Sequence, residues 1–284
     1  MIRTQAERLI DEAAATLEAA GVASPVADAE WLLVHVLGRP RAVIRRAPVD
    51  GTQRATYLEM IAARARRVPL QHITGTAAFR YVDVEVGPGV FVPRPETELL
   101  AGWAIEQAQT RSAASSERPV VVELCAGSGA ISLSVVHEVP HADVHAVELD
   151  PDAHGWALRN LGDSGVDLRL GDMADAFGDL DGTVDVVVAN PPYIPLDAWE
   201  SVAPEARDHD PALALWSGDD GLDAMRVVEQ VAWRLLRPGG VVGAEHADAQ
   251  GESAPAVFAE RWLEVRDHRD LADRPRFVTA RRPA

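Results

Sequence analysis

The sequence predicts an α/β fold: a doubly wound, mostly parallel sheet preceded by a helical amino-terminal segment. Two observations predict it. From residue 96 onward, short β-branched runs alternate with helix-like stretches, which is the order of a parallel sheet with crossover helices. Before residue 76, apolar residues recur at helical spacing instead. The chain has 284 residues, of which 47% are hydrophobic, so it can build two domains or one large one.

Residues 1–75 are assigned to the helical segment. Apolar residues from Leu9 to Ala20 share one helical face. Ser24-Pro25 has the composition of a helix start, with Ser as the N-cap and Pro in the first turn. A further helix is predicted from about Thr52 to Arg67.

Residues 76–95 are predicted to be a β-hairpin linker that turns at Gly87-Pro88-Gly89. Residues 96–284 form the sheet domain, in which a polar stretch from Arg111 to Arg118 is predicted to be a mobile loop. Predicted helices cover Glu96 to Gln109, a stretch from Gly129, Pro151 to Asn160, and Leu222 to Leu236, and predicted strands cover Val120 to Leu124, Ala142 to Val147, Val166 to Leu170, Val184 to Ala189, Val241 to Glu245, Trp262 to Asp267 and Arg276 to Arg281.

The first strand of the sheet domain runs into a glycine turn, Cys125-Ala126-Gly127-Ser128-Gly129. Its glycines allow a tight turn and a close approach of a ligand to the backbone. A dinucleotide fingerprint would continue to a third small residue where this chain has Ser132, which argues mildly against NAD. Glu123, near the strand end, would repel a phosphate but suits a ligand that carries an amino group and a sulfonium.

Acidic residues also follow the next two strands. Glu148 can accept hydrogen bonds from ribose hydroxyls, as an acid about 20 residues after a glycine loop does. Asp172 can accept from an adenine amino group, and Met173 can pack on the ring. Each residue alone is more often a solvated strand end. Together they are more specific, because open α/β sheets bind ligands at the carboxyl ends of their strands.

The fourth predicted strand ends in Asn190-Pro191-Pro192-Tyr193. The Asn190 side-chain oxygen and the Pro191 carbonyl are both acceptors, and the two prolines fix the backbone. Such a corner can hold a planar NH2 group and leave one face of its nitrogen open to an electrophile. The alternative interpretation is a strand followed by a Pro-rich turn with no chemical role.

These motifs together resemble the class I S-adenosylmethionine-dependent methyltransferases that act on planar nitrogens, which have a Rossmann-like sheet. Two further stretches resemble segments of the PrmC/HemK family: Phe91 to Glu98 its PRPETE segment, and Pro69 to Gly75 its P-x-Q-Y-I-x-G segment. The resemblance spans nearly the whole chain. Three departures stand out: His72 where Tyr is usual, Glu245-His246-Ala247 where Glu-Ile-Gly is more usual, and Asp273 where Gly is common.

The resemblance implies methylation of the side-chain amide of the Gln in the Gly-Gly-Gln tip of class-1 peptide release factors. It also implies S-adenosylmethionine as the cofactor, S-adenosylhomocysteine as its product, a small amino-terminal helical bundle that helps to grip the release factor, and an antiparallel hairpin at one edge of the sheet. The family's sister enzymes leave two alternatives: a glutamine of a ribosomal protein, or adenine N6 in a nucleic acid, which would have to be flipped out of its stack. A cofactor-binding module without catalysis is a third.

The candidate site residues follow from these motifs. Tyr193 is expected to wall the flat amide, while Arg94, Glu96 and Thr97 line the mouth of the site or, as an alternative, form a structural turn and helix cap. Candidate catalytic residues are Asn190, Pro191 and Tyr193; candidate cofactor contacts are Glu123, Cys125, Ala126, Gly127, Ser128, Gly129, Glu148, Asp172, Met173 and Asn190; candidate substrate contacts are Asn190, Pro191, Pro192, Tyr193, Arg94, Glu96 and Thr97.

Composition excludes several other classes. The formal net charge of −17 is concentrated after residue 70, where 17 Arg face 36 acids, so stable nucleic-acid binding is not expected. One cysteine excludes an intrachain disulfide, and no histidine spacing is typical of a metal site. No apolar run approaches the roughly 20 residues needed to cross a bilayer. We therefore expect a cytoplasmic monomer without metal or membrane contact.

Overall fold

A computed structural model describes residues 4–115 and 117–284, and these form two compact units. The first contains the chain up to Thr76 together with Ala203–His209; the second contains Ala77–Val202 and Asp210–Ala284. In chain order the helices are α1 (Gln5–Ala19), α2 (Pro25–Leu37), α3 (Arg41–Ile44), α4 (Gly51–Ala65), α5 (Leu70–Thr74), α6 (Thr97–Ala114), α7 (Ala130–Glu138), α8 (Pro151–Leu161), α9 (Pro204–His209), α10 (Asp223–Leu235) and α11 (Ser253–Phe258). The strands are β1 (Thr76–Phe79), β2 (Val82–Glu85), β3 (Val120–Leu124), β4 (Asp143–Glu148), β5 (Asp167–Leu170), β6 (Val184–Ala189), β7 (Leu236–Glu245), β8 (Leu263–Arg269) and β9 (Pro275–Arg281).

The first unit is helical, as its sequence predicts. The helix α1 covers the predicted apolar face, and α4 matches the predicted helix to within two residues at each end. The helix α2 begins at Pro25 as expected, although the Ser24 side chain makes no capping hydrogen bond. Tyr57 on α4 is fully buried and donates its hydroxyl to the Ala29 carbonyl at 3.1 Å, so it joins α4 to α2.

A buried ion cluster holds α9 within this unit. Glu205 on α9 accepts hydrogen bonds from Arg64 at 2.8 Å and from Arg67 at 2.8 and 2.6 Å. Arg64 is itself buried and also donates to Asp28 at 2.7 Å. Burial opposes ionisation of Glu205, but the two guanidinium groups outweigh it and lower the pKa of Glu205 to about 2.

We expect Glu205→Gln to destabilise the first unit by roughly 2–4 kcal/mol, because it leaves two guanidinium groups without their shared carboxylate. The stabilisation is complete above the unfolded pKa of about 4.5 and is lost as pH falls toward 2. Hydrogen exchange of peptides covering Ala203–His209 and α4 measures the change at pH 7. The pair Arg207–Asp208 supplies the control, since exposed ion pairs contribute little and Asp208→Asn should leave protection nearly unchanged. Equal protection in Glu205→Gln and wild type would contradict this role.

A hairpin lies within residues 76–95, but the predicted strand pairing and the predicted turn at Gly87-Pro88-Gly89 are wrong. The strands β1 and β2 pair across Arg80 and Tyr81. Arg80 adopts a left-handed φ of 51° and is held there by Glu138, which its guanidinium contacts at 2.7 and 2.9 Å. Gly87 and the carbonyl of Pro88 pack against Trp156 instead of turning the hairpin, and Val90 and Val92 are buried but lie outside any strand.

The second unit is built on a seven-stranded sheet in the order β5-β4-β3-β6-β7-β9-β8. The strands from β5 to β7 are parallel, and β9 pairs antiparallel with both β7 and β8. This confirms the doubly wound sheet and its antiparallel edge. Residues of β6 alternate between two cores: Val186 packs in the one that contains Leu100 of α6, and Val187 in the one that contains Met225 of α10. Burial on both faces explains why every residue of β6 except Asp185 is apolar.

Several boundaries in this unit differ from the predictions by one or two residues, and the end of α6 and the start of β7 differ by more. The helix α6 continues to Ala114 because Arg111 is fixed by Asp185 at 2.8 Å and by Glu117 at 2.7 Å, so the start of the predicted mobile loop is helical. Ser116, also within that predicted loop, lies outside the described residues. The strand β7 begins at Leu236 rather than Val241, since Pro238-Gly239-Gly240 forms an irregularity inside the strand.

Candidate active site

The carboxyl ends of the parallel strands meet at one edge of the sheet, and the register places their loops side by side. Leu124 at the end of β3 pairs with Val147 of β4 and with Ala189 of β6. Ala189 in turn pairs with Ala244 of β7. Strand order reverses between β3 and β6, because the chain winds outward from β3 in both directions. This is the topological switch point, where open α/β sheets bind their ligands.

The glycine turn after β3 is tightly constrained. Cys125 has a left-handed φ of 60°, which is strained for a residue with a side chain. Gly129 has φ 79°, and a Cβ there would lie 2.8 Å from Leu161, so only glycine fits. Ser128 is buried, and its carbonyl accepts from Asn160 at 2.9 Å. The Ala126 amide donates to the Val147 carbonyl at 3.0 Å, which ties the turn to β4.

Glu123 lies beneath this turn rather than open above it. It is 2% exposed, and its Oε2 accepts from the Ser132 amide at 2.9 Å and from the Ser132 hydroxyl. Burial raises the pKa of Glu123 to about 8, against the effect of these hydrogen bonds. The carboxylate therefore fixes the start of α7, and its predicted contact with a cofactor stays a prediction.

Glu148 and Asp172 follow the neighbouring strands as the sequence predicts. Glu148 accepts the Gly127 amide at 2.7 Å and the Asp150 amide at 2.8 Å, so it already braces the glycine turn. Asp172 is exposed and caps the Ala174 amide at 2.9 Å. Met173 lies with its sulfur 3.6 Å from Cys125 Sγ. Burial raises the pKa of the Cys125 thiol, which keeps it neutral and fits a packing role.

Asn190 is half-buried at the end of β6, and its amide is oriented by a hydroxyl. Its Nδ2 donates to Thr97 Oγ1 at 3.3 Å. Thr97 is 4% exposed, and its hydroxyl faces the buried carboxylate of Glu245. The Tyr193 hydroxyl also faces this carboxylate and donates to Glu245 Oε1 at 3.2 Å. Pro191 is buried and Pro192 is half-buried. The structure thus brings Asn190, Tyr193 and Thr97 together around Glu245.

The backbone of this corner is clamped from a second direction. Gln250 donates its Nε2 to the Tyr193 carbonyl at 3.1 Å and to the Asp220 carbonyl at 3.2 Å. Gly221 passes so close that a Cβ there would lie 2.3 Å from the Tyr193 carbonyl oxygen. Ile194 continues the corner by pairing with Trp216. The rigidity of the corner therefore comes from tertiary contacts as well as from its prolines.

The predicted residues at the mouth of the site have separate roles. Arg94 lies 4.8 Å over the Phe91 ring and donates to Asp210 at 2.8 Å. Burial raises the pKa of Asp210 to about 6, although Arg94 opposes this. Glu96 is exposed at the start of α6 and makes no side-chain capping bond, so the structure gives it no capping role. Thr97, in contrast, belongs to the Asn190 cluster.

The sequence prediction missed the buried residues that support the corner. Glu245, Gln250 and Gly221 were not candidates, and Ser132 was considered only as a mismatch to a dinucleotide motif. The signal for Glu245 was present, since it ends a predicted strand as Glu148 and Asn190 do. Across the described residues, no group of three or more His, Cys, Asp or Glu is placed to hold a metal ion, and no helix is long and apolar enough to cross a membrane.

Comparisons with known proteins cover both units. The PrmC N-terminal domain model matches residues 8–75, and the methyltransferase small domain model matches residues 107–203. The release factor glutamine methyltransferase of Streptomyces coelicolor is 55% identical over 275 residues, which cover 96% of each chain. That of Mycolicibacterium smegmatis is 44% identical over 287 residues and covers 99% of each. A 4-amino-L-phenylalanine/4-methylamino-L-phenylalanine methyltransferase of Streptomyces pristinaespiralis is 39% identical, covering 89% of this chain and 87% of that one.

The parallel sheet, the glycine turn at its switch point and the Asn-Pro-Pro-Tyr corner beside it define a class I methyltransferase. Identity with the two glutamine methyltransferases extends over almost the full length of all three chains. The chain belongs to the release factor glutamine methyltransferase family.

Proposed function

We propose that this protein transfers a methyl group from S-adenosylmethionine to the side-chain amide nitrogen of the Gln in the Gly-Gly-Gln motif of class-1 peptide release factors. The observation that carries the proposal is the position of Asn190-Pro191. These residues follow β6, and the pairing of Leu124 with Ala189 puts them directly beside the glycine turn after β3. A carboxamide held at this corner lies next to whatever the glycine turn binds.

The residues around the glycine turn fit the proposed cofactor. A Cβ added at Gly127 would meet no atom within 4 Å, so the space above the turn is open. Glu148 uses one lone pair of each oxygen on backbone amides, and the carboxylate keeps others for ribose hydroxyls. Cys125 to Gly129, Glu148, Asp172 and Met173 would hold the cofactor. When bound, S-adenosylmethionine supplies an electrophilic methyl group on a positively charged sulfur.

An amide nitrogen is a poor nucleophile because its lone pair is delocalised into the carbonyl. The corner compensates by orientation: Asn190 Oδ1 and the Pro191 carbonyl accept the two N–H groups, and Tyr193 walls the planar amide. Holding reactants in line can lower a barrier by up to about 7–11 kcal/mol. The N–H groups become more acidic as the nitrogen takes up the methyl group, so both acceptors bind the transition state more strongly than the ground state.

The direct test is to incubate the protein with methyl-labelled S-adenosylmethionine and a class-1 release factor, and to map the label by mass spectrometry. We expect one methyl group on the Gln of Gly-Gly-Gln and none on a release factor in which that Gln is replaced by Glu. Parallel arms contain ribosomes, DNA and 4-amino-L-phenylalanine; the last is the substrate after which the Streptomyces pristinaespiralis relative is named. Label in one of these arms alone would refute the proposed substrate, and no label with any acceptor would favour a module without catalysis.

The first unit is proposed to help grip the release factor, which acts in the cytoplasm, and the protein is proposed to work as a monomer. The PrmC N-terminal domain match over residues 8–75 supports a role specific to this family, since it lies outside the methyltransferase domain match. The acidic surface after residue 70, with 36 acids against 17 Arg, supports a protein substrate over a nucleic acid.

A further inference from the structure

Asn190 must present its oxygen, not its nitrogen, to a bound carboxamide, because an N–H group of the substrate needs an acceptor. The two ends of an Asn amide are similar in size, so the surrounding hydrogen bonds decide which end faces the substrate. The Asn190 contact given by the structure is the 3.3 Å donation from Nδ2 to Thr97 Oγ1. The orientation of Asn190 therefore depends on how Thr97 uses its single hydrogen.

Glu245 decides how Thr97 uses that hydrogen. An ionised carboxylate can only accept, so the Thr97 hydroxyl that faces it must donate. Thr97 Oγ1 can then only accept a hydrogen bond from Asn190, so Asn190 must donate its NH2 group to it. Asn190 Oδ1 is thereby turned to the open side of the corner. The donors and acceptors of Thr97, Glu245 and Asn190 require this orientation whichever way the two ends of the Asn190 amide are assigned.

We propose that Glu245 is a positioning residue that acts through Thr97 to hold the Asn190 amide in its productive orientation, and that protonation of Glu245 releases this control. The proposal rests on the proposed function, in which Asn190 Oδ1 accepts from a substrate amide. A protonated Glu245 can itself donate to Thr97. The Thr97 hydroxyl can then donate to Asn190 instead, so the amide is free to flip and turn Oδ1 toward Thr97 and away from the substrate.

The surroundings of Glu245 bring this protonation near neutral pH. Its side chain is 1% exposed, and Oε2 lacks a well-formed hydrogen-bond partner among the described residues. Burial, helped by the charge of Glu96, raises the pKa of Glu245 to about 7, against Thr97, Arg276 and Tyr193. Burial also raises the pKa of Tyr193, while ion pairing with Asp270 contributes to a raised pKa of Arg276. Neither of these two neighbours changes charge in this range.

His246, the residue directly after β7, is a second titratable group beside Glu245 and has its own protonation equilibrium. Burial lowers the pKa of His246 below 6.5, and its Nε2 lies 3.0 Å from Asp267 Oδ1. Substituting Glu245 distinguishes the two groups, because a pH effect that arises at His246 would survive in Glu245→Gln.

The first measurement reads the amide itself and needs no substrate. The chain contains two asparagines, Asn160 and Asn190, so isotope-labelled asparagine gives two side-chain NH2 signals. Asn160 donates to the Glu85 and Ser128 carbonyls and serves as an internal control. We expect the Asn190 signals to shift with a midpoint near pH 7 while those of Asn160 stay constant, and the Asn190 shift to vanish in Glu245→Gln. An Asn190 signal that does not titrate, or that still titrates in Glu245→Gln, overturns the proposal.

The second measurement is the pH dependence of kcat for release factor methylation. Wild-type kcat should rise with pH and level off above about 7, the pH at which Glu245 is ionised. Glu245→Gln should lose this dependence and be roughly 10- to 100-fold slower at high pH, because its amide can also donate to Thr97. Thr97→Val should be slow and Thr97→Ser close to wild type. Glu264→Gln, which removes an exposed carboxylate, should keep the wild-type profile.

Stability separates this role from a structural one. Folding raises the pKa of Glu245, so ionisation of this carboxylate lowers the free energy of unfolding as pH rises through the folded pKa. The Gln side chain of Glu245→Gln carries no charge. At pH 8 this variant should therefore unfold at a urea concentration no lower than wild type. A slow variant of undiminished stability supports positioning. Wild-type kcat in Glu245→Gln at every pH refutes it. If no release factor is methylated by wild type, the proposed function fails, and the amide signals still decide whether Glu245 controls Asn190.

Discussion

Replacing Asn190 by Ala should lower kcat for methylation by at least about 100-fold, while the protein still binds S-adenosylmethionine. The magnitude follows from mutations that remove one preorganised hydrogen-bonding group from an active site, which typically cost 100- to 1,000-fold. Methyl transfer to the release factor under saturating substrate measures kcat, and calorimetric titration measures cofactor binding.

Asn190→Asp is the matched comparison for that variant. It keeps the acceptor oxygen of Asn190 and adds a second one in place of the NH2 group that donates to Thr97 Oγ1. We expect Asn190→Asp to be slow as well. Its carboxylate oxygen would face the lone pairs of Thr97 Oγ1, and its negative charge would lie near the buried Glu245. Near-normal turnover in Asn190→Ala would exclude the amide of Asn190 from the mechanism. Loss of cofactor binding in Asn190→Ala would assign the residue to the cofactor instead of to the substrate.

Gly221→Ala should destabilise the second unit by roughly 2–5 kcal/mol and reduce kcat by about 100-fold or more. Two effects add: Gly221 has φ 74°, a left-handed conformation that costs about 1–2 kcal/mol for Ala, and the new Cβ would lie 2.3 Å from the Tyr193 carbonyl. The obstacle is backbone, so relief requires the Asn-Pro-Pro-Tyr corner to move. A misplacement of about 1 Å can cost about 100-fold in rate.

Gly165→Ala separates strain from displacement. Gly165 has a similar φ of 82°, but a Cβ there would meet no atom within 4 Å. It should therefore show the conformational cost alone, with kcat unchanged. Urea unfolding and kcat measured on both variants give the comparison. A Gly221→Ala protein no less stable and no slower than Gly165→Ala would mean that the corner tolerates movement.

The strands and the chemical corner were predictable because their signals are local. The strand β6 is a continuous β-branched run, and two prolines stop it directly after Asn190. The boundaries of β6 were predicted correctly for that reason. The prediction of the hairpin turn was wrong because it also relied on a local signal: Gly87-Pro88-Gly89 has the residues of a turn, and Arg80-Tyr81 does not. Arg80 turns the chain instead, and its guanidinium contacts Glu138, 58 residues later, and the Glu98 carbonyl, neither of which is visible in the local sequence.

The supporting part of the site could not be predicted, because it depends on which distant segments the fold brings together. Glu245 reaches Tyr193 only because β7 is placed next to β6 by a crossover through α10. Gly221 looks like an ordinary turn residue until the Tyr193 carbonyl is seen against it. Glu123 shows the same limit: its place near the end of the strand is visible in the sequence, but its contact with the Ser132 amide depends on the folded glycine turn.

The salt cluster around Glu205 bears on how this enzyme can be dissected. A chain shortened to begin after Thr76 would retain Ala203–His209 yet lack Arg64 and Arg67, the two side chains that neutralise Glu205. That stretch starts ten residues after Tyr193 in the same uninterrupted polypeptide. In such a fragment we expect Ala203–His209 to be less ordered, close in sequence to the Asn-Pro-Pro-Tyr corner. Weak activity in such a fragment would not, by itself, measure what the amino-terminal helices contribute to substrate capture.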